Sequence, residues 1–166
     1  MILYFLRHGL ASDRMTWQED DHIRPLTDKG VERMHQEAKT IAALDLEIDQ
    51  IISSPLTRAA QTARIVAEHL GRQDDLLIDE RLAPGFDPKA LESLLNDYPE
   101  AKALLLVGHE PDFSETISAL VGGGRIVCKK GSLAKVDVDE DTLEGVLEWL
   151  VPPGILAADS GRIVSP

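Results

Sequence analysis

Short runs of consecutive apolar residues alternate in this chain with stretches whose apolar positions recur every three or four residues. Ile2-Leu3-Tyr4-Phe5-Leu6, Gln50-Ile51-Ile52-Ser53, Leu76-Leu77-Ile78 and Ala103-Leu104-Leu105-Leu106-Val107 belong to the first kind. They read as strands, and the first and last, apolar throughout, as strands buried on both faces of a parallel sheet. Between them, Val31, Met34, Ala38, Ile41 and Ala42 mark one face of an amphipathic helix running to about Leu44, with Thr27 as N-cap and Asp28 in the first turn. Ala59, Ala63, Val66, Ala67 and Leu70 mark a second, opened by N-cap Ser54 with Pro55 at the first helical position and stopped by Gly71. A short third helix opens at Pro88 with Leu91, Leu94 and Leu95 on one face, and a fourth begins at Pro111 and closes at Gly122-Gly123-Gly124.

Farther on the period changes. Ala134-Val136-Val138 and Leu147-Trp149-Val151 alternate, which predicts two antiparallel strands extending the sheet edge, each with one wet face. Pro152-Pro153-Gly154 breaks that pattern, and the tail to Pro166 is expected to be irregular. Strand–helix alternation predicts an α/β fold: a three-layer sandwich with a mostly parallel central sheet and helices on both faces. No repeat, low-complexity tract or linker divides the chain, so residues 1–166 are expected to form one domain.

Composition narrows the function classes. The 43% hydrophobic and 28% charged content is that of an ordinary globular protein. A net charge of −12 and 4% aromatic content argue against a nucleic-acid partner, because the field repels phosphate backbones and stacking surfaces are few. Any phosphate must therefore be held in a local cationic pocket. The lone Cys128 excludes an internal disulfide framework and suggests a reducing compartment, so a cytoplasmic location is expected. The early apolar run is interrupted by Arg7-His8-Gly9 and has no basic region before it or cleavage site after it, so it is read as a strand and not as a signal peptide or membrane span.

The strand ends carry the chemistry. Arg7 and His8 stand where the first strand runs out, and Gly9 marks the turn. In open α/β sheets ligands bind outside the carboxyl ends of the strands. Gly108-His109-Glu110-Pro111 repeats the arrangement at the end of the Ala103–Val107 run, with an imidazole next to a glycine just before a helix. Arg58 falls in the first turn of the second helix, at the same sheet edge, where a cation opposes the helix dipole unless an anion joins it. A salt bridge to a neighbouring carboxylate is the plainer reading of Arg58. The other histidines carry no such pattern: His35 lies off the apolar face and reads as solvated, and His69 suits the last turn of its helix. The long polar segment from Leu10 to Thr27 is expected to be a functional or mobile loop. Two guanidiniums can hold the oxygens of a phosphoryl group while one imidazole attacks phosphorus and the other donates to a non-bridging oxygen, without a metal.

Leu6-Arg7-His8-Gly9, Ser53 through Ala63 (Ser-Ser-Pro-Leu-Thr-Arg-Ala-Ala-Gln-Thr-Ala) and Val107-Gly108-His109-Glu110-Pro111 resemble, in order, the three motifs of the histidine phosphatase superfamily. Ala11, the stretch Pro25-Leu26-Thr27-Asp28-Lys29-Gly30 and the Gly-His-Glu-Pro motif resemble its small SixA-type phosphohistidine phosphatases. The resemblance spans residues 1–120 and fades beyond. It implies a phosphoglycerate-mutase-like fold, His8 as the phosphorylated nucleophile, and Arg7, Arg58 and His109 as the phosphate pocket. It also implies no cofactor, with a phosphohistidine-bearing protein of a phosphorelay or phosphotransfer system as substrate. Two departures bear on substrate: Leu10 stands where the family's mutases and ester phosphatases often have Glu or Gln, and their acid-bearing insertion between the second and third motifs is largely missing. Glu80 and Glu110 remain as candidate proton donors. A small-molecule phosphomonoesterase or mutase, a non-catalytic phosphate-binding module and a two-histidine metallohydrolase are the competing readings, the last opposed by arginines that would repel a cation.

Overall fold

The computed structural model describes residues 1–158. Six strands form one sheet: β1 (Ile2–Arg7), β2 (Gln50–Ser53), β3 (Leu76–Ile78), β4 (Ala103–Gly108), β5 (Leu133–Val138) and β6 (Gly145–Val151), in the order β3-β2-β4-β1-β5-β6. β1, β2, β3 and β4 pair in parallel, while β5 and β6 join antiparallel beside β1. The apolar runs of β1 and β4 are buried because each has a strand on both sides and helices on both faces.

The pleat sorts the core into two layers. Tyr4, Leu6, Leu105 and Val107 face α1 (Asp28–Ala43) and α2 (Thr57–Leu70). Leu3, Phe5, Leu104 and Leu106 face α3 (Pro88–Leu95) and α4 (Asp112–Leu120). This is the mixed α/β sandwich expected from the alternation of periods. Among the described residues no helix is long and apolar enough to cross a membrane.

Local chemistry sets the helix starts. The Thr27 hydroxyl accepts from the Gly30 N–H, and Asp87 caps α3 by accepting from Ala90. Gly30 also lets the chain after β1 lie against α1, since a Cβ there would meet the Leu10 carbonyl oxygen. The start of α2 differs from expectation: the helix begins at Thr57, and Ser54 and Pro55 lie ahead of it. The Ser54 hydroxyl accepts from the Leu56 N–H (3.3 Å), one residue ahead of the helix, and reaches His109 across the sheet edge.

Three further expectations are corrected. Leu147 does not share a face with Trp149 and Val151, because a register shift between Lys135 and Val136 lets the paired strand bulge. Leu147 then packs in the α3–α4 layer while Trp149 packs near Tyr4, with ring centroids 6.1 Å apart. The expected irregular tail contains a helical turn, α5 (Pro153–Leu156), whose Leu156 is buried against the α1–α2 layer; residues 159–166 lie outside the described residues. His35 is not simply solvated: its Nδ1 lies 3.1 Å from His69 Nε2 across the α1–α2 contact.

Candidate active site

Arg7, His8, Arg58 and His109 converge on one cavity of about 810 Å³ at the carboxyl edge of the parallel strands. Backbone and side-chain bonds lock the pieces that carry them. His8 N–H donates to the Gly108 carbonyl (3.0 Å), and Ser54 N–H donates to Val107 (2.9 Å), so the exits of β1, β2 and β4 are tied together. Thr62 on α2 accepts from Gly9 N–H (3.0 Å) and donates to the Arg58 carbonyl (2.8 Å), coupling the turn after His8 to the helix that carries Arg58.

His8 is 6% exposed, and its Nδ1 lies 2.8 Å from the Gly9 carbonyl oxygen. A carbonyl can only accept, so Nδ1 bears the proton and the Nε2 lone pair is left for chemistry. Burial holds the imidazole well below its usual pKa range, helped by His109, Arg58 and Arg7, so the neutral form persists. The His8 and His109 rings stand 5.2 Å apart between centroids. Burial, with Arg58 next, pushes His109 down to about 3. Its Nε2 is 2.7 Å from the Ser54 hydroxyl, which orients the ring.

Each arginine is gripped on one side. Arg7 Nη1 donates to the Cys128 carbonyl (2.8 Å). Arg58 Nη1 and Nη2 donate to the Asp21 carbonyl and carboxylate at 2.9 and 3.0 Å. Among the described residues, five buried side-chain polar atoms have no hydrogen-bond partner, and three of them are Arg7 Nε, Arg58 Nε and His109 Nδ1. Buried polar atoms are nearly always paired, so three orphans around one cavity point to an anionic ligand with several acceptor oxygens.

The plainer reading of Arg58 is thus also observed, since it does form a salt bridge. Asp21 belongs to the Leu10–Thr27 loop, which is pinned by buried Arg24: its Nε donates to Asp21 (2.7 Å) and its Nη1 to the Ser12 carbonyl (2.6 Å). Burial pushes the Asp21 carboxyl up, but Arg24 and Arg58 more than offset this and leave it below the usual range. Of the two candidate proton donors, Glu110 lines the cavity and accepts from the Ser114 hydroxyl (2.7 Å). Glu80 does not line it; the residue is exposed on the turn Glu80–Leu82, because that turn's buried member is Leu82.

Asp21, Arg24, Ser54, Thr62 and Lys130, which all line or brace the cavity, were not legible as site residues. Lys130 and Arg24 carried only their charge as a signal; Ser54 and Thr62 lay within the second motif.

The fold and the orphaned donors define a class: an α/β protein with unpaired buried donors, suited to an oxyanion, at the exits of its parallel strands. Residues 3–84 match the histidine phosphatase superfamily (branch 1). The chain belongs to that superfamily, and its SixA-type likeness holds. It is 42% identical over 127 residues to an uncharacterized protein of Picosynechococcus sp. (strain ATCC 27264 / PCC 7002 / PR-6), covering 74% of each chain. It is 25% identical to phosphohistidine phosphatase SixA of Escherichia coli (strain K12), over 92% of this chain and 94% of that one. The solved structure of the protein histidine phosphatase SixA complexed with tungstate superposes with a TM-score of 0.83 at 24% identity, over 94% of this chain and 99% of that one. Solved phosphatases of small molecules share the fold as well. Membership, likeness and cavity together support phosphatase activity.

Proposed function

We propose that this protein is a metal-independent phosphatase that hydrolyses phosphohistidine on proteins through a covalent intermediate on His8. The observation that carries the reading is the pairing of a neutral His8, whose Nδ1–H is committed to Gly9, with a cavity where Arg7 Nε, Arg58 Nε and His109 Nδ1 lack partners.

The chemistry follows in two displacements. His8 Nε2 attacks phosphorus as the P–N bond to the substrate imidazole breaks, and the bonding pair leaves with that nitrogen. With a proton on its other nitrogen, the ring departs uncharged, which needs no strong acid near neutral pH. Water then attacks phosphorus on His8, releasing orthophosphate and returning the electron pair to Nε2. Arg7 and Arg58 meet the charge on the equatorial oxygens throughout, and His109 donates to one of them, so positioning and charge neutralisation supply the rate enhancement. An alkoxide is a far worse leaving group and would require a well-placed acid. Two guanidiniums beside the histidines oppose a bound metal cation. Cys128 is the chain's one cysteine and has no partner for an internal disulfide, which suits a reducing compartment such as the cytoplasm.

The test is a panel of a histidine-phosphorylated protein, a phosphoserine peptide and an activated aryl phosphate, with and without EDTA. Hydrolysis of phosphohistidine should exceed that of phosphoserine by several orders of magnitude, with the aryl phosphate between them and no effect of chelator. His8→Ala should abolish turnover, and an acid-labile label should be found on His8. Comparable kcat/KM values for phosphoserine and phosphohistidine, or zinc-restored activity after EDTA, would overturn the reading.

A further inference from the structure

Two segments border the cavity. One is the Leu10–Thr27 loop, whose Asp13, Arg14, Asp21 and Arg24 line it; the other is the irregular stretch Arg125–Lys130, which contributes Lys130. Both hold apolar side chains out to solvent: Met15 is 91% exposed, Ile23 51% and Val127 63%. Exposure of Met15 is built in. Asp13 accepts from the Met15 N–H (2.9 Å) and its carbonyl from the Trp17 N–H (2.9 Å), while the Trp17 indole donates to the Asp20 carbonyl (3.0 Å), closing a turn with Met15 at its tip.

The charges on these rims are unequal in a way the sequence total of −12 hides. Of the carboxylates lining the cavity, Asp21 is paired with Arg24 and Arg58, while Asp13, Glu110 and Asp112 accept from the Met15 N–H, the Ser114 hydroxyl and the Gly85 N–H (2.8 Å) and keep their charge. Four cations at the cavity's border have no carboxylate partner. Arg14, Arg125, Lys129 and Lys130 are exposed and form no ion pair with any described residue, and the Arg125–Lys130 stretch holds no carboxylate. Charges more than a Debye length away, about 8 Å at physiological salt, are largely screened. The Leu10–Thr27 loop is itself acidic, with Asp13, Glu19, Asp20 and Asp21 against Arg14 and Arg24, so the basic side of the rim is the Arg125–Lys130 stretch, and a partner docked there feels its three unpaired cations before the more distant acidic surface.

We infer that this rim is a docking surface for the acidic face of a protein around its phosphohistidine, with Met15, Ile23 and Val127 as apolar contacts and Arg125, Lys129 and Lys130 as the charge complement. The inference rests on the phosphohistidine reading above and adds the chemistry of the partner. A free phosphorylated metabolite filling the cavity would meet Lys130 but not Met15, Ile23, Val127, Arg125 or Lys129, which lie outside its lining. Unbranched methionine accommodates varied partners, and an apolar patch with a charged border is the usual form of a protein contact.

The experiment compares three probes: free phosphohistidine, a leucine-containing phosphohistidine peptide flanked by Asp and Glu, and the same peptide flanked by Lys. Wild type should prefer the acidic peptide, with a preference that falls as salt rises. Arg125→Glu combined with Lys129→Glu should lower kcat/KM for the acidic peptide about tenfold and raise it for the basic one, with free phosphohistidine unchanged, because rim charges act on association. Met15→Ala with Val127→Ser should weaken both peptides and spare the free compound. Hydrolysis of free phosphohistidine with no difference between the peptides, or equal losses on all three probes, would overturn the docking surface while leaving the phosphohistidine reading in place. Failure of wild type to hydrolyse any of the three would overturn both.

Discussion

Replacing Arg58 separates a phosphate clamp from a structural salt bridge. The residue is 4% exposed, its two Nη atoms are held by Asp21, and its buried Nε has no partner, so it offers an oxyanion at least one charge-assisted hydrogen bond in a preset direction. A hydrogen bond to a charged group contributes about 1.5–3 kcal/mol, so Arg58→Ala should weaken orthophosphate binding about ten- to a hundredfold. At a phosphate concentration of about 100 Kd the wild type gains about 2.7 kcal/mol, whereas the variant at that concentration gains about 0.4–1.4 kcal/mol. For a chain of this size the wild-type gain amounts to a rise in Tm of about 5–11 °C. Thermal melts across a phosphate titration, with calorimetry for Kd, measure both quantities, each variant being referred to its own ligand-free Tm because Asp21 also loses its partner. Arg58→Lys should recover only part of the loss, since an ammonium keeps the charge but not the fork. An Arg58→Ala protein that binds orthophosphate as tightly as wild type would show that Arg58 serves Asp21 alone.

Three more expectations follow from the same geometry. Glu110→Gln should slow hydrolysis of aryl and alkyl phosphates more than that of phosphohistidine, and Glu80→Gln, away from the cavity, should do neither; equal effects of Glu110→Gln on both substrate types in steady-state assays would remove it as a proton donor. Gly108→Ala would place a Cβ 2.6 Å from Phe113 Cζ, and Phe113 is itself wedged edge-on against Phe5 with centroids 5.1 Å apart; urea unfolding should show a loss of about 1–3 kcal/mol, with reduced kcat from the displaced His109. The third concerns pH. His109, near 3 when folded and about 6.5 when unfolded, contributes stability that is present above pH 6.5 and is lost as pH falls, about 2 kcal/mol between pH 7 and 5, and His8 acts in the same sense. Buried Glu37, raised by burial to about 7, opposes this, because its contribution is present at low pH and is lost as pH rises toward 7. Glu37→Gln should therefore lose about 2 kcal/mol more than wild type between pH 7 and 5 in urea melts, and parallel curves would refute the opposition.

Periodicity and strand-exit chemistry made much of this protein legible before any coordinates. Continuous apolar runs specify strands covered on both faces, and a glycine after a histidine specifies where the chain leaves the sheet, so Arg7, His8 and His109 could be placed at one edge from local pattern alone. Arg58 followed from its place in the first turn of α2. Local pattern is silent on which groups meet across that edge. Ser54 reads as a helix cap because its near neighbours favour one; only pairing of β2 beside β4 sets its hydroxyl against His109. Asp21 reads as one acid in a polar loop until Arg24 folds that loop back onto α2 and brings its carboxylate to Arg58. Glu37 sits next to the apolar stripe of α1 and becomes buried only because other segments close over that margin. Trp149 changes sides through a bulge whose position depends on the partner strand. Residues close in sequence share one backbone geometry, which hydrophobic spacing records directly; contacts between residues far apart depend on strand order, register and loop closure, and those are settled by packing of the whole chain.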